Sequence, residues 1–318
     1  MSYSFKVRWA RTVCRSWIVA FLVPCLLLGQ TQPAAGRRSP PKDELMDAVY
    51  VGYFLPDGLR ELTSEQGWTN IRRGAEALRQ HDPSDETLEM VVHFIDGELA
   101  RISKNYDLAE TEFRAANKID PNSALPFFGL AETAMEKGDT SLVSGLLYAA
   151  SFVVPKSMPP SFQDLAFSRL GELYERVGNY TEAVKTYESA ARANPKWGGG
   201  HTKLAEIYLK LNQPDIALPH IQQAITLSPK EAYNYAVLGR VQSRLGHHPA
   251  ALAAFQKAVA LEPGDAAYHL SLGLEYESTG AKTSAFYSYI TAQMIAEKDK
   301  SYADLLPEIG QALSRLQK

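Results

Sequence analysis

The chain has 318 residues, 45% of them hydrophobic and 22% charged, a balance that supports a sizeable folded core and excludes disorder over the whole length. A net charge of −3 lacks the basic excess that phosphate binding needs, so nucleic acid is not expected as a partner. Cys14 and Cys25 are the only cysteines, and both lie in an N-terminal segment expected to be removed. The remainder then has no disulfide, thiolate metal site or cysteine nucleophile.

Residues 1–15 carry Lys6, Arg8, Arg11 and Arg15 and no acid, and residues 16–29 form an unbroken apolar run of 14. This order reads as a signal peptide over 1–29, cleaved between 29 and 36, which makes the protein periplasmic or secreted. A spanning helix needs about 20 apolar residues and this run contains Pro24, so an inner-membrane anchor formed by 16–29 is the alternative. Pro24 before Cys25 fits a lipoprotein signal poorly, and no Arg-Arg pair precedes the run. Loss of the leader leaves 29 basic against 36 acidic side chains, a net −7. Residues 30–42, QTQPAAGRRSPPK, read as a disordered Pro-rich linker.

Residues 43–89 are expected to form a degenerate helical cap. Ile71, Ala75 and Leu78 have helical spacing with Pro83 behind them, while Pro56 and Gly58 interrupt an earlier helix. Tyr50, Tyr53, Phe54 and Trp68 are expected to be the core of this cap rather than a ligand cage.

A fixed period follows. Pro121, Pro155, Pro195, Pro229 and Pro263 are spaced by 34, 40, 34 and 34 residues, the long gap holding an extra stretch at 156–161. With each proline at position 32, six units result: 90–123, 124–157, 164–197, 198–231, 232–265 and 266–299. Position 8 is small throughout (Gly97, Ala131, Gly171, Ala205, Gly239, Gly273), and position 27 is alanine in all six. Glycine inside a helix costs about 1 kcal/mol against alanine, so such columns mark close approach of two helices. Between them position 24 is bulky (Phe113, Leu147, Tyr187, Ile221, Phe255, Tyr289), so small columns are expected to face large ones. Position 15 is Gly138, Gly178, Asn212, Gly246 and Gly280 in five units, residues that tolerate the positive φ of a tight turn. The position-32 proline is expected to close the second helix of each unit.

Each unit thus reads as helix, turn and helix, and the whole resembles the tetratricopeptide repeat family, most clearly at Leu170-Gly171, Tyr174, Ala183, Tyr187, Ala190 and Pro195. The resemblance covers residues 90–299 and implies an all-α, right-handed superhelical solenoid that binds a protein or peptide in its concave groove without a cofactor. Departures sit at the ends, where looser packing is expected: Asp96 replaces leucine, Ala100 and Ala134 replace tyrosine, and Glu297 replaces the last proline. In residues 300–318, Leu305, Ile309, Leu313 and Leu316 form one stripe of a final helix that covers the last repeat.

No phosphate-binding glycine motif, nucleophile elbow or His-Glu-x-x-His occurs, so no catalytic or metal-binding residue is assigned and no enzyme is expected. His247 and His248 read as solvated turn residues, and Gly198-Gly199-Gly200 as a flexible joint at a helix start. Asn179-Tyr180-Thr181 fits the glycosylation pattern but reads as coincidence.

At 100° per residue, positions 2, 5, 9, 12 and 13 of the first helix form one stripe, which the family resemblance places on the groove. The candidate partner-binding residues on and beside it are Phe94, Glu98, Phe128, Glu132, Arg169, Glu172, Arg176, Lys203, Glu206, Lys210, Arg240 and Arg244. They grade from acidic and apolar to basic along the array. Position 9 has no asparagine, so the carboxylate-clamping mode of some family members is not expected. The expected function is a non-enzymatic scaffold for a partner protein outside the cytoplasm; the alternative is a membrane-anchored accessory factor for envelope assembly or polysaccharide export.

Overall fold

The computed structural model describes residues 42–54 and 64–316. The expected leader, and the expected linker apart from Lys42, lie outside these residues. Among the described residues there are fifteen α-helices and one 3-10 helix, and no strand. They divide into two compact units, one ending at Ala193 and the other beginning at Asn194.

The first unit comprises α1 (Lys42–Phe54), α2 (Glu65–His81), and the pairs α3 (Glu86–Ile102) with α4 (Tyr106–Ile119), α5 (Ala124–Lys137) with α6 (Thr140–Ser157), and α7 (Pro160–Arg176) with α8 (Tyr180–Ala193). The second comprises α9 (Gly199–Lys210) with α10 (Pro214–Leu227), α11 (Ala232–Arg244) with α12 (His248–Leu261), and α13 (Ala266–Ser278) with α14 (Lys282–Lys298). A 3-10 turn (Lys300–Leu305) and α15 (Leu306–Leu316) follow. No helix among the described residues is long and apolar enough to cross a membrane.

Short-range chemistry sets the helix ends. The side chains of Asp85, Asn105, Asp139 and Asp265 accept hydrogen bonds from first-turn N–H groups of the helices they precede. Inside every pair the turn is the same. Position 15 has positive φ at Gly138, Gly178, Asn212, Gly246 and Gly280, and also at Lys104 in the first pair (φ 61°), where no glycine or asparagine is present. The next residue's N–H then bonds the carbonyl five residues back, as in Asn105 to Ala100 (2.8 Å) and Asn179 to Tyr174 (2.9 Å). This satisfies a carbonyl that the helix end leaves without an intrahelical partner.

The small and large columns meet. A methyl on Gly97 would lie 2.6 Å from the Phe113 ring, on Gly171 2.5 Å from Tyr187, on Gly239 2.6 Å from Phe255 and on Gly273 2.5 Å from Tyr289. Where position 8 is alanine, position 24 is aliphatic instead: Ala131 with Leu147 and Ala205 with Ile221. Ring size and the missing methyl thus compensate each other pair by pair. Phe113 is enclosed further, since a methyl on Gly129 of the next pair would lie 2.5 Å from it.

Several expectations are corrected. Pro155 does not close a helix but lies inside α6, which runs on to Ser157; α7 then starts at Pro160, so the six extra residues lengthen both helices. The first pair is not loosely packed at Asp96, whose carboxylate pairs with Arg72 of α2. Glu297 lets α14 continue to Lys298 before the 3-10 turn. Gly198–Gly200 is no joint: Gly199 and Gly200 are buried in the first turn of α9, and a methyl on Gly198 would lie 2.9 Å from the Ala224 carbonyl oxygen. His248 keeps much of its side chain in solvent but is not merely solvated, since its Nδ1 lies 2.7 Å from the buried Glu275.

At the C-terminus, Ile309 and Ala312 of α15 are fully buried against the last pair, and Arg315 forks onto Glu277 at 3.0 and 3.1 Å. The stripe of Leu305, Ile309, Leu313 and Leu316 is the face that packs.

Candidate interaction surface

In the first unit the first helices of the three pairs present Phe94, Phe128 and Phe162 to α1. Tyr53 stands edge-on to Phe94 at 5.3 Å between ring centres and 6.0 Å from Phe128; Phe54 is edge-on to Phe128 at 5.4 Å, and Tyr50 lies 5.3 Å from Phe162. Seven consecutive residues of α1, Ala48 to Phe54, are buried. Trp68 of α2 closes the other side of Phe94 at 6.1 Å. The four cap aromatics are core, as expected, but the core extends across all three pairs.

Below Tyr53 is a charge network. Arg101 bonds Glu98 at 2.8 Å and Glu136 at 2.9 Å and lies 3.6 Å from Glu132. Arg169 donates to Glu132 through Nη2 at 2.6 Å and Nε at 2.9 Å, and its other Nη lies 3.5 Å from Glu172. Glu98 and Glu132 are each only 1% exposed. Burial pushes the Glu98 carboxyl above its ordinary range despite Arg101. Burial would raise Glu132 too, but Arg169 and Arg101 together outweigh it and hold that carboxyl below the usual range. The Tyr53 hydroxyl, buried above these carboxylates, is driven well above the ordinary phenol range and has no hydrogen-bond partner.

The sequence-based candidates therefore separate. Phe94, Glu98, Phe128 and Glu132 are enclosed, and no partner reaches them while α1 is in place. Position 5 is a packing position in every unit: Phe94, Phe128, Ser168, Thr202, Ala236 and Leu270 are all buried. Arg169 and Glu172 are half-buried in the network, and Arg176 is exposed at its edge. Arg101, absent from the candidate set, joins the network from position 12 of the same stripe.

The second unit differs. Glu206 accepts a hydrogen bond from the Tyr233 hydroxyl and lies 3.9 Å from both Lys203 and Arg240. Lys210 and Arg244 are exposed and Arg240 is half-buried. Four cations thus lie on and beside the stripe of this unit, against Glu206 and, at position 12 of the last pair, Glu277, which Arg315 already holds. Elsewhere in this unit Glu231 is buried near Glu262, and burial first, then that neighbour, push its carboxyl up to about 7. Among the described residues no group of three or more His, Cys, Asp or Glu side chains is placed to hold a metal ion.

Three stretches match family models of the tetratricopeptide repeat: residues 166–196, 200–231 and 236–293. Comparison with curated proteins gives no match. Among solved structures, the Cut9–Hcn1 hetero-tetramer of the APC/C is similar with a TM-score of 0.52 at 17% identity, over 87% of this chain. This chain spans 56% of that one. Pseudomonas aeruginosa pilF is similar with a TM-score of 0.50 at 15% identity, over 70% of this chain and 98% of that one. YrrB, described as a TPR protein with an unusual peptide-binding site, gives 0.42 at 21% identity over 61% and 97%. Identities this low speak for the fold alone. By its helix pairs and by these matches, the chain carries tetratricopeptide repeats within residues 166–293 and has the all-α solenoid fold of tetratricopeptide repeat proteins.

Proposed function

We propose that the chain is a non-enzymatic scaffold that binds an acidic segment of a partner protein on the second unit, and that it works outside the cytoplasm. One observation carries the reading: Lys210, Arg240 and Arg244 lie on the stripe and Lys203 beside it, against two carboxylates, Glu206 and the Arg315-paired Glu277, in a chain whose net charge is negative. A patch opposite in sign to the whole molecule steers a partner of complementary charge and sets its orientation. Export rests on the basic start and apolar run of residues 1–29.

The test reverses Lys210 and Arg244 to Glu, both exposed, and measures capture of partner from the native envelope fraction at low and high salt. Capture is expected to fall at least tenfold at low salt with helix content retained, and wild-type capture to weaken as salt screens the patch. Undiminished capture by the reversed protein sinks the proposal. N-terminal sequencing of the mature protein addresses export: a start after residue 29 supports it, and a start before residue 20 replaces it with the membrane-anchored accessory reading.

A further inference from the structure

The first unit holds one helix, α1, across the first helices of all three of its pairs. α1 contributes little to itself: its N-terminal Asp43, Glu44 and Asp47 are exposed, and the rest is apolar on nearly every side. A helix apolar all round needs cover on several faces. It finds α2 on one side, where Gly52 lies against Trp68 and Ile71, and the first helices of three successive pairs on the other. Those three helices come from well-separated parts of the chain, and α1 is tied to them by ring contacts rather than by a shared turn. The Lys42 ammonium adds one ion pair, to Asp85 at 2.5 Å.

The fit is also incomplete at one atom. A constitutive core element ordinarily has its buried polar groups satisfied. The Tyr53 hydroxyl is enclosed over Glu98 and Glu132 and bonds to neither. The ring fills the site, and the hydroxyl contributes nothing to holding it there.

We propose that the face of residues 86–176 which carries Phe94, Phe128 and Phe162 is a helix-binding site which the chain fills with its own residues 42–54, and that the partner it accepts is an apolar helix presenting aromatic rings at the spacing of Tyr50, Tyr53 and Phe54. Nine residues separate α1 from Ser64, and a tether of that length gives an effective concentration in the millimolar range. With a micromolar intrinsic dissociation constant for α1 itself, any separate helix meets a roughly thousandfold handicap. The site is closed to ordinary partner concentrations until the tether is cut or α1 is displaced by a helix that binds far more tightly. This surface is independent of the basic stripe of the second unit, so charge reversal there and the experiment below succeed or fail separately.

The experiment uses the full chain with a Gly/Ser-flanked protease recognition sequence inserted between Phe54 and Ser64. A fluorescent peptide of residues 42–54 is added in excess before and after cutting, and anisotropy reports binding while circular dichroism reports helix content. The expected result is no uptake below about 100 μM by the uncut chain and saturable uptake by the cut chain as the native segment exchanges. Tyr53→Phe in the peptide should bind at least as well, because the hydroxyl makes no bond, whereas Tyr53→Ala should bind at least tenfold more weakly. Three results overturn the proposal: equal uptake by the uncut chain, no uptake by a cut chain that keeps its helix signal, or loss of that signal on cutting. The last two would make α1 a fixed part of the core.

Discussion

The pairing of ring and glycine makes a sharp thermodynamic prediction at Gly171 and Tyr187. Tyr187 is fully buried, donates its hydroxyl to Glu175, and has ring atoms 2.5 to 2.8 Å from where an alanine methyl at 171 would sit. Gly171→Ala gains about 1 kcal/mol of helix propensity but overpacks a filled site at a cost of about 1–3 kcal/mol, so a net loss of about 1 kcal/mol is expected. Tyr187→Leu alone leaves a cavity and removes the hydroxyl bond to Glu175, a loss of about 2–3 kcal/mol. The double variant rebuilds the Ala131–Leu147 combination found in the preceding pair. Its methyl fills part of the cavity without a clash, so the loss should be no greater than that of Tyr187→Leu alone. The favourable coupling is then about 1–2 kcal/mol. Urea unfolding followed at 222 nm for the wild type and three variants measures it, with midpoints compared at constant slope. Additive losses within about 0.5 kcal/mol, or a Gly171→Ala variant as stable as wild type, would refute the claim that size compensation holds each pair together.

Lys104 occupies the left-handed turn position that glycine or asparagine fills in the other five pairs, so Lys104→Gly should raise stability by about 0.5–1 kcal/mol in thermal unfolding; a lower midpoint would mean that the lysine stem contributes packing. Glu231 is raised from an ordinary 4.5 to about 7 by burial and Glu262. Its charged form is therefore disfavoured in the fold, and the resulting penalty is absent below pH 4.5, grows as pH rises, and is complete above about 7. Glu231→Gln should match wild type at pH 4 and exceed it by about 2 kcal/mol at pH 8, with partial solvation limiting the gain; parallel stability profiles for the two proteins would contradict this.

The array was legible because a repeat states its own contacts several times over. Gly97, Ala131, Gly171, Ala205, Gly239 and Gly273 against the bulky column sixteen residues later identify the helix-to-helix interface, and the matching of glycine to ring and alanine to aliphatic is readable in the same two columns. The positive-φ turn was legible in five units and hidden in the sixth, since a lysine carries no mark of the strain it accepts. Pro155 misled for a related reason: the extra residues could lengthen helices or form a loop, and only packing selects between them.

The shared stripe was legible, and what covers it was not. Helical periodicity puts Glu98 and Glu132 on one stripe, yet it says nothing of Arg101 and Arg169 closing over them, or of Tyr53 lying above. Sequence by itself determined the helix pairs, five of the six turns and the ring-to-glycine contacts, because these depend on residues within one period of each other. Tertiary structure alone decided that α1 covers the first three pairs and that Arg176, Lys210 and Arg244 are the exposed cations among the stripe candidates. The contact of Tyr53 with Phe128 joins parts of the chain that share no period, so its free energy leaves no pattern in either segment taken alone.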